Sequence, residues 1–468
     1  MKKKIIIISV LVLLIGGIIA FLIINNNKNS KNNNSSKTTT TSNKALDNSL
    51  DYNYDFKDYE TIDVNLDDVD GKYEITKTAI YHFTGNLKGY ITVSSDENIK
   101  IIFDNVTITN SSGPCLYVEN AKNLYVELIG NNTLKDGKSY SNFDEEVNAA
   151  IYSKDDLIIS GDGTLSIVAN YNDAITSKDD LIIKSGTYKI ESKDDAIKGK
   201  DSILILDGVF DITSSGDSLK TTNDTDSNLG SVLIKNGKFT INSTNGDGID
   251  SINSIEIDNG DFNITTKITN SNSDSSAKGI KAENSIVINN ITLKANTKDD
   301  AIHSNKDITI NSGDFDITST DDAIHADGKV EINDGKYNIS ASEGIEATYI
   351  KINKGTINIS ASDDGINAGK KSNDYEATVE INDGNITIKM ANGDTDGIDS
   401  NGNLYINGGT INITCNSPFD YDGKAEYNGG TLIVNGTKTN EITNQMMGGG
   451  MPLENMRDNN MRGGMNIR

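Results

Sequence analysis

Residues 300–321 read Asp300-Ala-Ile-His-Ser-Asn-Lys-Asp-Ile-Thr-Ile-Asn-Ser-Gly-Asp-Phe-Asp-Ile-Thr-Ser-Thr-Asp321, and the phrase begins again at Asp322-Ala-Ile-His325. In the first copy the apolar side chains fall at Ile302, at Ile308 and Ile310, and at Phe315 and Ile317; the second places Ile324, Val330, Ile332, Tyr337 and Ile339 to match. Alternation within each pair is the period of a strand, and the segments are far too short for helices. Asn311-Ser-Gly313 and Asn333-Asp-Gly335 fill the gaps, where the chain must turn.

Working outward, the phrase recurs at Asp173, Asp195, Asp217, Asp247, Lys278, Glu343, Asp364 and Asp396, with a weaker copy at Ala149-Ala-Ile151. A unit of about 22 residues with three short strands and three corners cannot cover its own apolar face and must stack on its neighbours. The expectation is an all-β parallel β-helix, an open solenoid adding about 4.8 Å per coil and spanning roughly 43 Å over these anchors. Propeller blades are about 40 residues long, and sandwiches need long alternating strands. Leucine-rich repeats lack the β-branched pairs.

The chain has 468 residues, with 43 Lys and Arg against 68 Asp and Glu, a formal charge of -25. That balance excludes nucleic acid as a partner, since a phosphate backbone would be repelled. Cys115 and Cys415 form neither a disulfide framework nor a metal-binding cluster, and in a stack they lie too far apart to bridge. Lys2 to Lys4 precede an unbroken apolar run, residues 5–24, about 30 Å long as a helix and enough to span a membrane. Residues 1–24 are therefore expected to be a signal anchor, with a cleaved signal peptide as the alternative, placing the rest outside the cell. Residues 25–50, rich in Asn, Ser and Thr, read as a disordered tether. Residues 51–108 are read as the N-terminal cap and first coils, 109–440 as the repeat body, and 441–468 as a disordered Gly/Met tail.

Stacking would set the anchor residues in one file along the outside. Two like charges about 5 Å apart repel by roughly 3 kcal/mol at an effective dielectric of 20. Lysines, turn N–H groups or bound cations would relieve this, and the plainest reading has each Asp solvated while accepting a corner N–H. A second acid follows three residues on in Asp247-Gly-Ile-Asp250, Glu343-Gly-Ile-Glu346 and Asp396-Gly-Ile-Asp399, and Asp363-Asp364 stands one coil before Asp396. Oxygen donors without His or Cys point to calcium, which makes these eight acids the candidate metal ligands. Asp173, Asp195, Asp217, Asp300 and Asp322 form the rest of an acidic ligand-binding face. Long repeats place extra residues at Thr221–Gly230, Ile268–Ser276 and Gly369–Glu376, all rimming that face, and a long groove suits a polymer. His303 and His325 read as a stacked surface pair, with a metal pair or proton relay as the sharper alternative. Tyr188 and Tyr337 share a column with Phe210, Phe239, Phe262 and Phe315 and belong to the core.

The phrases Tyr171-Asn-Asp-Ala-Ile-Thr-Ser-Lys-Asp-Asp180 and Asp194-Asp-Ala-Ile-Lys-Gly-Lys-Asp-Ser202, with Gly113-Pro-Cys-Leu-Tyr117 and the Gly/Met-rich tail, resemble a bacterial surface family of carbohydrate-binding-domain proteins. The resemblance runs from about Tyr73 to Gly436. It implies a right-handed β-helix similar in fold to polysaccharide lyases. It also implies calcium and binding of plant-wall polysaccharides such as cellulose or polygalacturonate, without established catalysis. A remoter likeness is to calcium-dependent pectate lyases, whose motif Asp-Asp-Gly-Phe-Asp is matched in part by Asp363-Asp-Gly-Ile-Asn367 and by Asp396-Gly-Ile-Asp399. A monomeric surface binder is the first reading, a lyase using Lys278 or Lys281 as base the second, and a stalk or adhesin without glycan ligand the third.

Overall fold

The computed structural model describes residues 52–269, 276–393 and 395–444, all within the unit Asp47–Arg468. The expected anchor, the tether and all but the first residues of the expected tail lie outside the described residues, as does most of the insertion at 268–276. Among the described residues no helix is long and apolar enough to cross a membrane.

The described chain is all β, its strands joined in one sheet. Each repeat pairs in parallel with the next at matching positions: Ile302 with Ile324, Ile308 with Val330, Phe315 with Tyr337. Among the described residues the single antiparallel pairing joins Thr431–Val434 to Thr437–Thr439 at the last edge.

The open right-handed solenoid expected from the repeat is corrected by the way these pairings close. Asn98–Thr109 runs unbroken through a corner and pairs with both Asn123–Ile129 and Asn131–Lys135. Ser254–Lys267 does the same with Ser231–Ile234 and Lys238–Thr244. The two files of strands between them therefore join at both ends, closing a parallel barrel of 12 strands with further strands outside it. The physical reason lies in corners that bend within one strand. Asn105 takes φ 55° and Gly260 φ 140°, so the chain turns and the same strand pairs again beyond the bend.

The core follows the expected apolar positions. Ile302, Ile308, Ile310, Phe315 and Ile317 are all buried. The rings of Tyr188, Phe210, Phe239 and Phe262 stack at 4.9, 4.6 and 4.6 Å, and Phe315 stacks on Tyr337 at 4.7 Å, so both tyrosines are core residues. A second file, half-buried at first and exposed at Asn407 and Asn428, runs along the next corner. Asn311, Asn333, Asn353, Asn382, Asn407 and Asn428 each donate a side-chain N–H to the side-chain oxygen of the Asn one repeat before, at 2.7–2.9 Å. Each amide before Asn428 thus serves as donor to one layer and acceptor from another, tying successive layers together. Cys115 and Cys415 are free thiols.

Candidate functional site

The anchor acids are not a solvated outer file. Asp173, Asp195, Asp217, Asp247, Asp300 and Asp322 are buried. Their carboxylates stitch one repeat to the next: Asp173 accepts the backbone N–H of Asp195 at 3.2 Å, Asp195 that of Asp217 at 3.0 Å, Asp247 that of Lys278 at 2.7 Å and Asp300 that of Asp322 at 3.1 Å. Asp364 accepts from Asp396 at 2.9 Å. The corner N–H needs an acceptor once buried, and the acid of the previous layer supplies it. Half of the plainest reading holds, the hydrogen bond, while the solvation does not.

A second file stands three residues on. Strand register aligns Lys198, Lys220, Asp250, Lys281, His303, His325, Glu346, Asn367, Asp399 and Asp420 in consecutive layers. Over its first part this file is the counter-charge to the acids. Lys198 reaches Asp195 at 2.8 Å and Asp173 at 3.3 Å. Lys220 reaches Asp217 at 2.5 Å. Lys281 lies 3.2 Å from Asp250 and 3.8 Å from Asp247, and Lys278 holds Asp299 and Asp300 at 2.7 and 2.8 Å. Burial alone would lower the pKa of Lys278 and Lys281, but the facing carboxylates outweigh it and hold both ammoniums above their ordinary value. A lysine held in its charged form is a poor general base.

The last layers are different. There the second file carries Asn367, Asp399 and Asp420 instead of lysine. Burial, then Asp364, Asp420 and Asp396, push Asp399 up to about 7. Burial with Glu346 and Asp322 pushes Glu343 up to about 8, and Asp364 rises to about 6 through burial against the neighbouring acids. The side-chain oxygens Oδ1 of Asn367 and Oδ1 of Asp420 are buried without a hydrogen-bond partner.

Of the eight expected metal ligands, Asp247 and Asp250 do meet, together with Asp217, although Lys281 already faces them. Glu346 is held by Lys371 at 2.7 Å and faces His325 at 3.2 Å, so the insertion at 369–376 does reach this face. Glu343 accepts from Asn367 at 3.0 Å. Asp364, Asp396 and Asp399 form one electrostatic cluster, while Asp363 is exposed. Asn367 and Asp420 are not among the paired acids; the position three after each anchor gives Asn367, whereas Asp420 lies one repeat beyond the last anchor, opposite Asp399, where Ser417 replaces the anchor acid.

A long concavity lies at another corner. A groove of about 860 Å³ runs over seven successive repeats from Asn259–Asp261 to Gly409–Thr410. It follows the corners next to the Asn ladder, with glycine in six of them and Ile291 in the other, and its walls include Thr292, Asp314, Lys336, Thr356 and Asn385. Gly335 shows why glycine is required: its φ is +125°, and a Cβ there would lie 3.0 Å from the Gly313 carbonyl oxygen.

A parallel-strand repeat protein with an internally paired charge ladder and a long polar groove has the form of a polymer-binding surface rather than a closed metabolite pocket. The sequence places it more closely. The chain belongs to the family of carbohydrate-binding domain-containing proteins, whose model matches residues 69–323 and 318–446. It is 38% identical over 216 residues to a carbohydrate-binding domain-containing protein of Acetivibrio thermocellus, covering 43% of this chain and 75% of that protein. A solved structure described as the polysaccharide lyase-like protein from C. thermocellum, gadolinium derivative, shares 24% identity, covers 62% of this chain and 98% of its own, and superposes with a TM-score of 0.36.

Proposed function

We propose that this protein is a monomeric extracellular polysaccharide-binding protein that holds an extended plant-wall-type glycan, such as polygalacturonate or cellulose, along the glycine-corner groove. The observation that carries the reading is the run of seven equivalent corners lining one continuous groove. Repeats about 4.8 Å apart present a polar side chain at each equivalent position, among them Thr292, Asp314, Lys336, Thr356 and Asn385. A polymer of similar sugars meets such a surface one unit after another, and many modest hydrogen bonds add up without a deep pocket. Lys336 in the groove wall offers charge to a uronate, while Lys354 is paired with Asp334 at 3.0 Å.

Calcium is part of the proposal. Asp364, Asn367, Asp396, Asp399 and Asp420 would hold it, because this donor set is all oxygen and includes two buried side-chain oxygens without hydrogen-bond partners. When bound, the ion would neutralise the last layers, where the second file carries no lysine.

Retention of the full chain on polygalacturonate, cellulose and xylan, with calcium and with EGTA, tests the reading. Binding to at least one polymer and its loss in Thr356→Arg/Asn385→Arg, which fills the exposed groove wall, is expected. No retention on any polymer would contradict it.

A further inference from the structure

His303 and His325 stand in consecutive layers of the second file with ring centroids 4.8 Å apart. They are mostly buried rather than a surface pair, with 13% and 14% of each side chain exposed. His303 Nδ1 lies 2.8 Å from Asp300 Oδ2. His325 Nδ1 lies 2.9 Å from Asp322 Oδ2, 3.2 Å from Glu346 Oε2 and 3.8 Å from Asp300 Oδ2.

The far side of His303 fixes which nitrogen carries hydrogen. Its Nε2 meets Asn305 Oδ1 at 2.8 Å, and Asn305 Nδ2 donates to the Glu283 carboxylate. A carboxylate only accepts, so Asn305 must turn its amide nitrogen to Glu283 and its oxygen to His303. The hydrogen then sits on Nε2, and a neutral ring directs the Nδ1 lone pair at the Asp300 carboxylate. Two acceptors 2.8 Å apart need a proton or a cation between them.

We propose that His303 and His325, with carboxylate oxygens from Asp300, Asp322 and Glu346, form a binding site for a divalent transition metal of the zinc class. The ligand atoms of Asp300, His303 and His325 lie within 4.8 Å of one another, and so do those of Asp322, His325 and Glu346. Two imidazole nitrogens favour zinc over calcium, which takes oxygen. The chain Glu283–Asn305–His303 is the outer support that metal-binding histidines require. His325 Nε2 is buried without a hydrogen-bond partner and has Asp327 Oδ1 at 3.6 Å, whereas Nδ1 is set closer among the carboxylates of Asp322 and Glu346. Asp300 Oδ2 also receives Lys278 at 2.8 Å, which leaves Asp322 Oδ2 and Glu346 Oε2, the Glu346 oxygen that does not carry Lys371, as the freer ligands. Since these residues come from three successive layers, a bound ion would pin those layers together.

Calorimetric titration of the metal-free full chain with ZnCl2, alongside cobalt absorbance, tests the site. Wild type is expected to bind zinc in millimolar calcium. His303→Gln/His325→Gln is expected to weaken it by about 100-fold or more, and Glu346→Gln by about tenfold. His82→Gln, a histidine placed instead between Asp63 and Asp104, is expected to leave zinc affinity unchanged. Melting in EDTA shows whether the double variant is folded; if it is not, Glu346→Gln alone decides. No zinc binding by wild type, equal binding by the variants, or displacement of zinc by calcium would overturn the site and leave the rings as imidazolium counter-ions. Glycan retention does not enter this readout, so it stands apart from the groove.

Discussion

Replacing Asp399 by Asn in the presence of EGTA should stabilise the protein at pH 7.5. Asp399 is pushed up to about 7 by burial and by the charges of Asp364, Asp420 and Asp396, whereas in the unfolded chain it ionises near about 4. Between those values the folded protein holds a proton that the unfolded chain lacks. Stability therefore falls as pH rises through that window, and the penalty is complete above about pH 7. A shift of about three units is worth about 4 kcal/mol at face value. The side chain is partly open to water, and screening leaves about 1–2 kcal/mol. With an unfolding entropy of ~2.1 cal/mol/K per residue, a body of this size gains about 1–2 °C in Tm. The assay is calorimetric melting at pH 5 and pH 7.5, with EGTA or calcium. Wild type should lose stability from pH 5 to pH 7.5 in EGTA and recover it with calcium, whereas Asp399→Asn should show less of both effects. A lower Tm for Asp399→Asn in EGTA at pH 7.5 would refute the reasoning, because the carboxylate would then be stabilising the fold.

Three further outcomes follow from the ladders and the core. Phe239→Ala removes the middle of the aromatic stack and should cost about 3–5 kcal/mol in denaturant unfolding. Lys220→Met leaves Asp217 buried without its 2.5 Å partner; a loss of about 2–4 kcal/mol at pH 8, smaller at pH 5 where the acid can protonate, is expected from thermal melts. Asn333→Ala strands the amides of Asn311 and Asn353 and should cost about 1–3 kcal/mol, whereas Asn428→Ala, at the end of the ladder, should cost less in the same urea titration.

The apolar spacing in residues 300–339 was sufficient to read the strands, their register and the burial of Phe315 and Tyr337, because a period of two and a repeated phrase leave few alternatives. Closure of the sheet was not legible. Nothing in the residues of Asn98–Thr109 or Ser254–Lys267 says that one strand pairs on both sides of its bend, since Asn105 and Gly260 look like ordinary turn residues. The acid file was read correctly as a file but on the wrong side of the surface. An Asp is normally exposed, and only the stacked corner N–H groups, which require neighbouring layers to exist, make burial favourable. The lysines and histidines three residues on were visible one by one; their meaning as counter-charges depends on register across the sheet. The groove was least legible, being a shape made by what glycine leaves out at successive corners.

Affinity electrophoresis of the full chain through gels containing polygalacturonate or soluble cellulose derivatives, with wild type and Thr356→Arg/Asn385→Arg side by side, tests the central claim most directly. The wild type should be retarded in at least one gel, and the groove variant should run as it does without polymer while keeping the same Tm. Equal retardation of the two proteins would place the glycan elsewhere and contradict the account.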